Sequence, residues 1–143
     1  PAPKILAPDF CPQRSASEQG ILLPLLKRLD VRISPLESEL KVKKAKVSGW
    51  IKLIDEDAPS TLAAMLFADA FPPSIFGLVG NIGWVPTLEL TVQIRRKPSP
   101  GWVQGDFNTL DLNDGRMIED GLLWDNDGNL IAQSRQISLL LSR

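Results

Sequence analysis

The stretch LLWDNDGNLIAQSRQ, residues 122–136, is the part of the chain that decides the fold. Its centre, Asp125-Asn126-Asp127-Gly128-Asn129, consists of residue types that favour a tight turn, and apolar residues lie on both sides. The pattern predicts a β-hairpin in which one strand ends at Trp124 and a long second strand runs from Leu130 towards the C-terminus.

The second strand of this hairpin carries an unusual polar residue. Because side chains alternate along a strand, Leu130, Ala132, Ser134 and Gln136 share one face. If that face points into the protein, Gln136 is a buried amide, and its burial costs free energy unless another group forms hydrogen bonds with it. A second interpretation stays open, in which Gln136 lies at the strand edge and contacts water.

Working outward, the other elements follow from apolar alternation and turn residues. Further strands are predicted over residues 25–33, 47–54, 87–95, 102–112 and 117–124. A helix is predicted to start at Asp57-Ala58-Pro59-Ser60, with Asp57 as its capping acid, and to run to about Phe71, where Pro72-Pro73 stops it. Two strands, one helix and a meander of four antiparallel strands predict an α+β fold in which the sheet wraps the helix.

The predicted helix has a carboxylate on its apolar side. Leu62, Met65 and Leu66 form an apolar stripe, and the spacing of Asp69 places it on the same stripe. There the carboxylate would be desolvated and close to the negative end of the helix dipole. The alternative is that Asp69 tips into solvent at the last turn.

Composition restricts the possible functions. The 143 residues fit one domain, and a net charge of −1 does not suggest nucleic-acid binding. No run approaches the roughly 20 apolar residues of a membrane span. The absence of histidine excludes Ser-His-Asp and Cys-His catalysis and histidine metal ligands. The single cysteine, Cys11, excludes an internal disulfide and a zinc site and favours a reducing compartment, so we expect a cytoplasmic location.

The ends and loops of the chain suggest how it is organised. Five prolines in residues 1–24 predict an extended linker or arm and not a packed element, which leaves residues 25–143 as a single domain. Because the chain begins with Pro1, we interpret it as a processed product, a cloned domain or a fragment. The cluster Lys41, Lys43, Lys44 and Lys46 is interpreted as a solvated loop or, alternatively, as a surface for phosphate groups such as those of coenzyme A.

Residues 72–86, PPSIFGLVGNIGWVP, are apolar although proline and glycine interrupt them. This composition is unusual for an exposed loop, and it favours a flap over an apolar pocket or a subunit contact. If the segment is such a flap, its large apolar residues are the predicted substrate-binding residues: Phe76, Leu78, Val79, Ile82 and Trp84.

Four motifs together resemble one family. They are Trp50 in GWIKL, ADAFPP at residues 68–73, PTLELTV at 86–92, and the hairpin motif LWD…GNLIAQSRQ at 123–136. Their order and spacing resemble the C-terminal half of the type II acyl-CoA thioesterases, within the thioesterase-like hotdog superfamily. The resemblance implies a hotdog fold, a curved antiparallel sheet around a central helix. It also implies a second hotdog unit, supplied by a missing N-terminal half or by another chain, and we expect a homo-oligomer.

The resemblance further implies a catalytic set. The aspartate at the helix end, the threonine at the next strand and the glutamine on the last strand of that family correspond to Asp69, Thr87 and Gln136. Asp69 would act as the general base for water, and the other two would aim that water at the thioester of a fatty acyl-CoA. No metal or cofactor is expected. Closer relatives often carry an acidic residue and a histidine after the threonine, whereas Leu88-Glu89-Leu90 stands here.

A non-catalytic function is the alternative to the hydrolase. In that case the chain is a hotdog module that binds acyl-CoA or acts as an assembly half. A hotdog dehydratase is disfavoured, because that reaction normally depends on histidine.

Overall fold

A computed structural model describes residues 1–14, 24–35, 43–55, 58–80 and 82–141. Its strands are β1 (Leu29–Ile33), β2 (Lys46–Leu53), β3 (Thr87–Ile94), β4 (Val103–Asn113), β5 (Arg116–Trp124) and β6 (Leu130–Leu139). Its helices are α1 (Thr61–Ala70) and the short α2 (Phe76–Val79), with 3₁₀ turns at Pro8–Phe10 and Pro24–Lys27. The second of these turns makes the first strand shorter than predicted. Neither described α-helix has the length and apolar character of a membrane span.

All six strands belong to one antiparallel sheet with the order β1-β2-β4-β5-β6-β3. The helix α1 packs on this sheet next to β3, β5 and β6, so the α+β layout is confirmed. The predicted meander is wrong in one respect, since β3 lies at the far edge beside β6 and does not pair with β4. Apolar alternation locates a strand along the chain, but it does not identify the neighbour of that strand in the sheet.

The buried face of α1 differs from the predicted stripe. Leu62 is 74% exposed and Met65 is 48% exposed, whereas the buried residues are Ala63, Ala64, Phe67, Ala68 and Ala70. The prediction is wrong for Leu62 and Met65, whereas Leu66 is partly buried and packs against the core. Hydrophobicity ranks leucine and methionine above alanine, but close packing of a helix on a sheet favours small side chains.

The helix α1 begins directly after Ser60. The Ser60 hydroxyl accepts a hydrogen bond of 3.1 Å from the backbone N–H of Ala63, so Ser60 is the N-cap. Asp57, the predicted capping acid, lies outside the described residues. At the other end Phe71 is extended, and the following Pro72-Pro73 cannot continue the helix.

An apolar core lies between α1 and the sheet. Phe67 on the helix and Phe107 on β4 are almost completely buried, and the ring centroids of Phe71 and Phe107 are 4.8 Å apart. Gly105 on β4 provides the space for these rings, because a Cβ at this position would lie 2.6 Å from a ring carbon of Phe71. This packing fixes the end of α1 over the sheet.

Residues 1–14 pack against the sheet: residues 12–14 pair with the outer edge of β1, and the side chains of Trp50 on β2 and Gln104 on β4 donate to the carbonyls of Leu6 and Pro3. The backbone N–H of Arg14 donates to the carbonyl of Val31 at 2.7 Å, and the N–H of Ile33 donates to the carbonyl of Pro12 at 3.0 Å. The expectation of an unpacked arm is wrong for these residues, because the extended backbone continues the hydrogen-bonding pattern of the sheet. The domain boundary near residue 24 stays a prediction.

Replacement of Phe67 tests this core. Phe67→Ala should lower the free energy of unfolding by about 3–5 kcal/mol, because it removes a buried ring and leaves a cavity. Leu110→Ala, at a position that is 57% exposed, is the control and should change it by less than about 0.5 kcal/mol. Urea denaturation followed by tryptophan fluorescence measures both values, and equal losses would contradict the assigned core.

Candidate functional site

A cavity of about 240 Å³ lies at the C-terminal end of α1. Its apolar lining includes Phe71, Phe107, Met117 and Val85. Its polar and charged lining comes from separate parts of the chain and consists of Arg14, Asp69, Thr87, Glu119, Gln136 and Ser138. In the part of the chain that the structure describes, no group of three His, Cys, Asp or Glu side chains is placed to hold a metal ion.

Strand pairing brings Thr87 and Gln136 together. β3 and β6 are antiparallel neighbours, and Thr87 lies opposite Ser138. The side-chain amide of Gln136 donates hydrogen bonds to Thr87 Oγ1 at 2.5 Å and to Ser138 Oγ at 2.9 Å. Gln136 thus faces the cavity, as in the inward-facing interpretation, although its side chain is only half-buried.

Asp69 lies in the last turn of α1 and lines the same cavity. The residue is exposed, so its predicted place on a buried stripe is wrong, because α1 turns its alanine face to the sheet. Desolvation by the protein atoms around the carboxyl group nevertheless raises the pKa of Asp69. Among the described residues the carboxyl group has no hydrogen-bond or ion-pair partner. Its oxygens are therefore available to a water or a ligand.

Glu119 on β5 is a second carboxyl group of this cavity, and the sequence motifs did not indicate it. It is 6% exposed, and its Oε2 accepts hydrogen bonds from the backbone N–H of Ser74 at 2.7 Å and from the Ser74 hydroxyl at 2.5 Å. Desolvation is the main cause that raises the pKa of Glu119; the Ser74 hydrogen bonds oppose this rise, and the charge of Asp69 adds to it. One sequence feature could have indicated Glu119: it is a charged residue on the same strand face as the apolar residues Met117 and Leu123.

The structure separates the five predicted substrate-binding residues. Trp84 lines the cavity and is 65% exposed. Phe76 and Ile82 pack in a second apolar cluster, and Leu78 and Val79 are exposed on α2. These last four residues, of which α2 carries all but Ile82, do not line the cavity, and their contact with an acyl chain stays a prediction.

The lysine cluster is only partly within the described residues. Lys46 forms an ion pair of 3.1 Å with Asp106, and Lys43 and Lys44 are exposed. Lys41 lies outside the described residues. At least one member of the cluster is therefore engaged in an internal ion pair.

Comparison with known proteins finds one family and several solved structures of the same fold. The family model of the acyl-CoA thioesterase C-terminal domain matches residues 8–140. A structure described as a candidate thioesterase II from Thermobifida fusca is 31% identical, with a TM-score of 0.78 over 99% of this chain and 55% of that one. A hotdog-fold protein from Alicyclobacillus acidocaldarius is 19% identical, with a TM-score of 0.82 over 99% and 55% of the two chains.

Two mycobacterial proteins are also similar to the chain. An acyl-CoA thioesterase II from Mycobacterium marinum is 19% identical, with a TM-score of 0.65 over 99% of this chain and 56% of that one. An uncharacterised protein of Mycobacterium tuberculosis is 31% identical over 83 residues, which are 58% of this chain and 28% of that protein. The chain thus spans little more than half of these solved structures, and their likeness confirms the hotdog fold.

The pKa of Glu119 predicts a pH-dependent stability. Because its pKa is raised in the folded state, the free energy of unfolding should fall as the pH rises from the unfolded pKa through the folded pKa. Glu119→Gln should remove the contribution of this residue to the fall in the free energy of unfolding. Glutamine has no proton to lose, and its carbonyl still accepts hydrogen bonds from Ser74. Asp69, whose pKa is also raised, contributes to the same fall in the wild type and in the variant. Urea denaturation at a series of pH values measures the slope, and an unchanged slope in the variant would contradict this reading of Glu119.

Proposed function

The chain belongs to the acyl-CoA thioesterase C-terminal domain family, and on this premise we propose that it hydrolyses the thioester bond of a fatty acyl-CoA. The proposal rests on one observation: Asp69 on α1, Thr87 on β3 and Gln136 on β6 line the same cavity. The scheme uses neither a metal nor a cofactor. The cytoplasmic location expected from the cysteine usage stays a prediction.

Asp69 is the proposed general base. Hydrolysis requires a water molecule that loses a proton as its oxygen attacks the thioester carbonyl carbon. The carboxylate of Asp69 has no partner among the described residues, and its raised pKa makes it a stronger base than a solvated aspartate. General-base catalysis contributes typically about 10²- to 10⁴-fold. Activity should decline as the pH falls through this raised pKa, because a protonated carboxyl group cannot accept the proton.

Thr87 and Gln136 are the proposed orienting groups. The amide nitrogen of Gln136 donates to Thr87 and Ser138, which holds the side chain in place. The Thr87 hydroxyl accepts one of these bonds and keeps its own hydrogen for a water or for the Asp69 carboxylate. The amide oxygen of Gln136, which has no partner among the described residues, can accept from the same water. A water held in this way is oriented before it reacts, which lowers the entropic part of the barrier.

A second hotdog unit is the proposed partner of this chain. The two edges of the sheet differ, since residues 12–14 pair with β1, whereas no described residue pairs with the outer edge of β3. β3 also presents Leu88, which is 57% exposed. An open apolar strand edge favours pairing with another strand. The second unit would come from the rest of a longer chain or from another copy in a homo-oligomer.

Removal of the proposed base tests the function. Asp69→Asn should lower kcat for acyl-CoA hydrolysis by about 10²-fold or more, because an amide cannot take a proton from water. Asp111→Asn, on an exposed part of β4 outside the cavity, is the matched control and should keep the wild-type kcat. Thiol release from acyl-CoAs of short to long chain, measured on the full-length protein, gives both values, with circular dichroism to verify the fold.

Two other results of the thiol-release experiment would change the proposal. Equal activity of Asp69→Asn and the wild type would contradict the role of Asp69. If the wild type releases no thiol at any chain length but binds acyl-CoA saturably, the non-catalytic hotdog module becomes the better description.

Replacement of Leu88 tests the proposed pairing. The isolated chain should dimerise through β3, and Leu88→Lys should shift it to the monomer, because a lysine on a strand edge opposes pairing. Leu112→Lys, at a position that is 44% exposed near the β4–β5 turn, should leave the distribution unchanged. Sedimentation velocity measures the distribution. A wild-type chain that is monomeric at all concentrations would refute self-pairing through β3.

A further inference from the structure

Glu119 is held at only one of its two carboxyl oxygens. Its Oε2 accepts both hydrogen bonds from Ser74, and the Ser74 hydroxyl also lies 2.8 Å from Thr109 Oγ1. Ser74 is fully buried, so this anchor is inside the protein. Oε1 has no hydrogen-bond partner among the described residues, although Glu119 lines the cavity. One oxygen is therefore fixed and the other is left for a group in the cavity.

The strand register places Glu119 beside the proposed catalytic set. Glu119 on β5 lies directly opposite Gln136 on β6, and opposite residues of antiparallel strands project to the same face. Asp69 is close enough for its charge to act on Glu119. Among the described residues the only other charged group of the cavity lining is Arg14, whose guanidinium donates to the carbonyl of Ala70 at 2.6 Å.

The surroundings of the two carboxyl groups favour ionisation of Asp69 over ionisation of Glu119. Asp69 is exposed, whereas Glu119 is almost completely buried, so removal of the proton from Asp69 costs less. Once Asp69 is ionised, its negative charge further disfavours ionisation of Glu119. A carboxylate and a neutral carboxylic acid in one cavity can serve as base and acid in the same reaction.

We propose that Glu119 is a further catalytic residue, whose Oε1 donates a proton to the sulfur atom of the leaving thiolate. This role rests on the proposed hydrolase function. The attacking water forms the new C–O bond and gives one proton to Asp69. When the tetrahedral intermediate collapses, the C–S bond breaks, the sulfur takes the electron pair, and Glu119 protonates it, so that a carboxylic acid and a thiol are released. The proton on Asp69 then returns to Glu119 through a water, which restores both groups.

The test compares two thioesters with the same acyl chain and different leaving groups. Coenzyme A is an alkyl thiol whose thiolate is strongly basic and benefits from protonation, whereas thiophenol leaves readily as a thiolate. Glu119→Gln keeps an acceptor for Ser74 but has no acidic proton. Under single-turnover conditions in the full-length protein, its rate with the acyl-CoA should fall by about 10²-fold and its rate with the aryl thioester much less. Asp69→Asn should slow both thioesters to a similar degree.

Asp120→Asn is the matched control. Asp120 follows Glu119 on β5, projects to the opposite face and accepts hydrogen bonds from Arg135, so its replacement should leave both rates unchanged. An equal fall for the two thioesters in Glu119→Gln would overturn the donor role while the Asp69-dependent hydrolysis persists. A wild type that hydrolyses neither thioester would overturn the proposed function and the donor role together.

A second measurement does not depend on the folding of a variant. Over a series of alkyl and aryl thioesters, the rate of the wild-type protein should depend less on the pKa of the leaving thiol than the rate of hydroxide-driven hydrolysis does. An equal dependence would overturn the donor role.

Discussion

The packing of small side chains of α1 against the sheet is the constraint on which the rest of the structure depends. Ala63, Ala64 and Ala68 face the sheet, and Gly105 leaves room for the ring of Phe71 directly after the helix. Larger side chains at these positions would hold the helix farther from the sheet, since protein interiors are close-packed. This packing places the last turn of α1, with Asp69, at the cavity that β3 and β6 also line.

The strand order then completes the site. Because β3 lies beside β6, the Gln136 amide reaches the Thr87 hydroxyl, although the two residues are 49 positions apart in the chain. The same order leaves β3 at the edge of the sheet. The strand that supplies Thr87 to the cavity is therefore also the strand proposed to join a second unit, and pairing there would act directly on the geometry of the site.

Burial of the Glu119 carboxyl group costs free energy. A carboxyl group with so little exposure loses its hydration, and among the described residues it has no ion-pair partner. The two hydrogen bonds from Ser74 offset part of this cost, and the desolvation that remains raises the pKa of Glu119. Perturbed carboxyl groups concentrate at functional sites, which supports a chemical role for Glu119 beside its structural contact with Ser74.

The sequence by itself determined the local features. The DNDGN turn, the alternation of each strand and the stop at Pro72-Pro73 depend on neighbouring residues. Periodicity singled out Asp69 and Gln136, and the resemblance of four motifs to a known family added Thr87. Only the tertiary structure decided which face of α1 is buried, where β3 lies in the sheet, and that Glu119 and Asp69 line one cavity. All three features depend on contacts between elements that are far apart in the sequence. Packing selects the alanine face over the more hydrophobic leucine stripe, and strand order, which periodicity does not contain, determines which polar groups share a space.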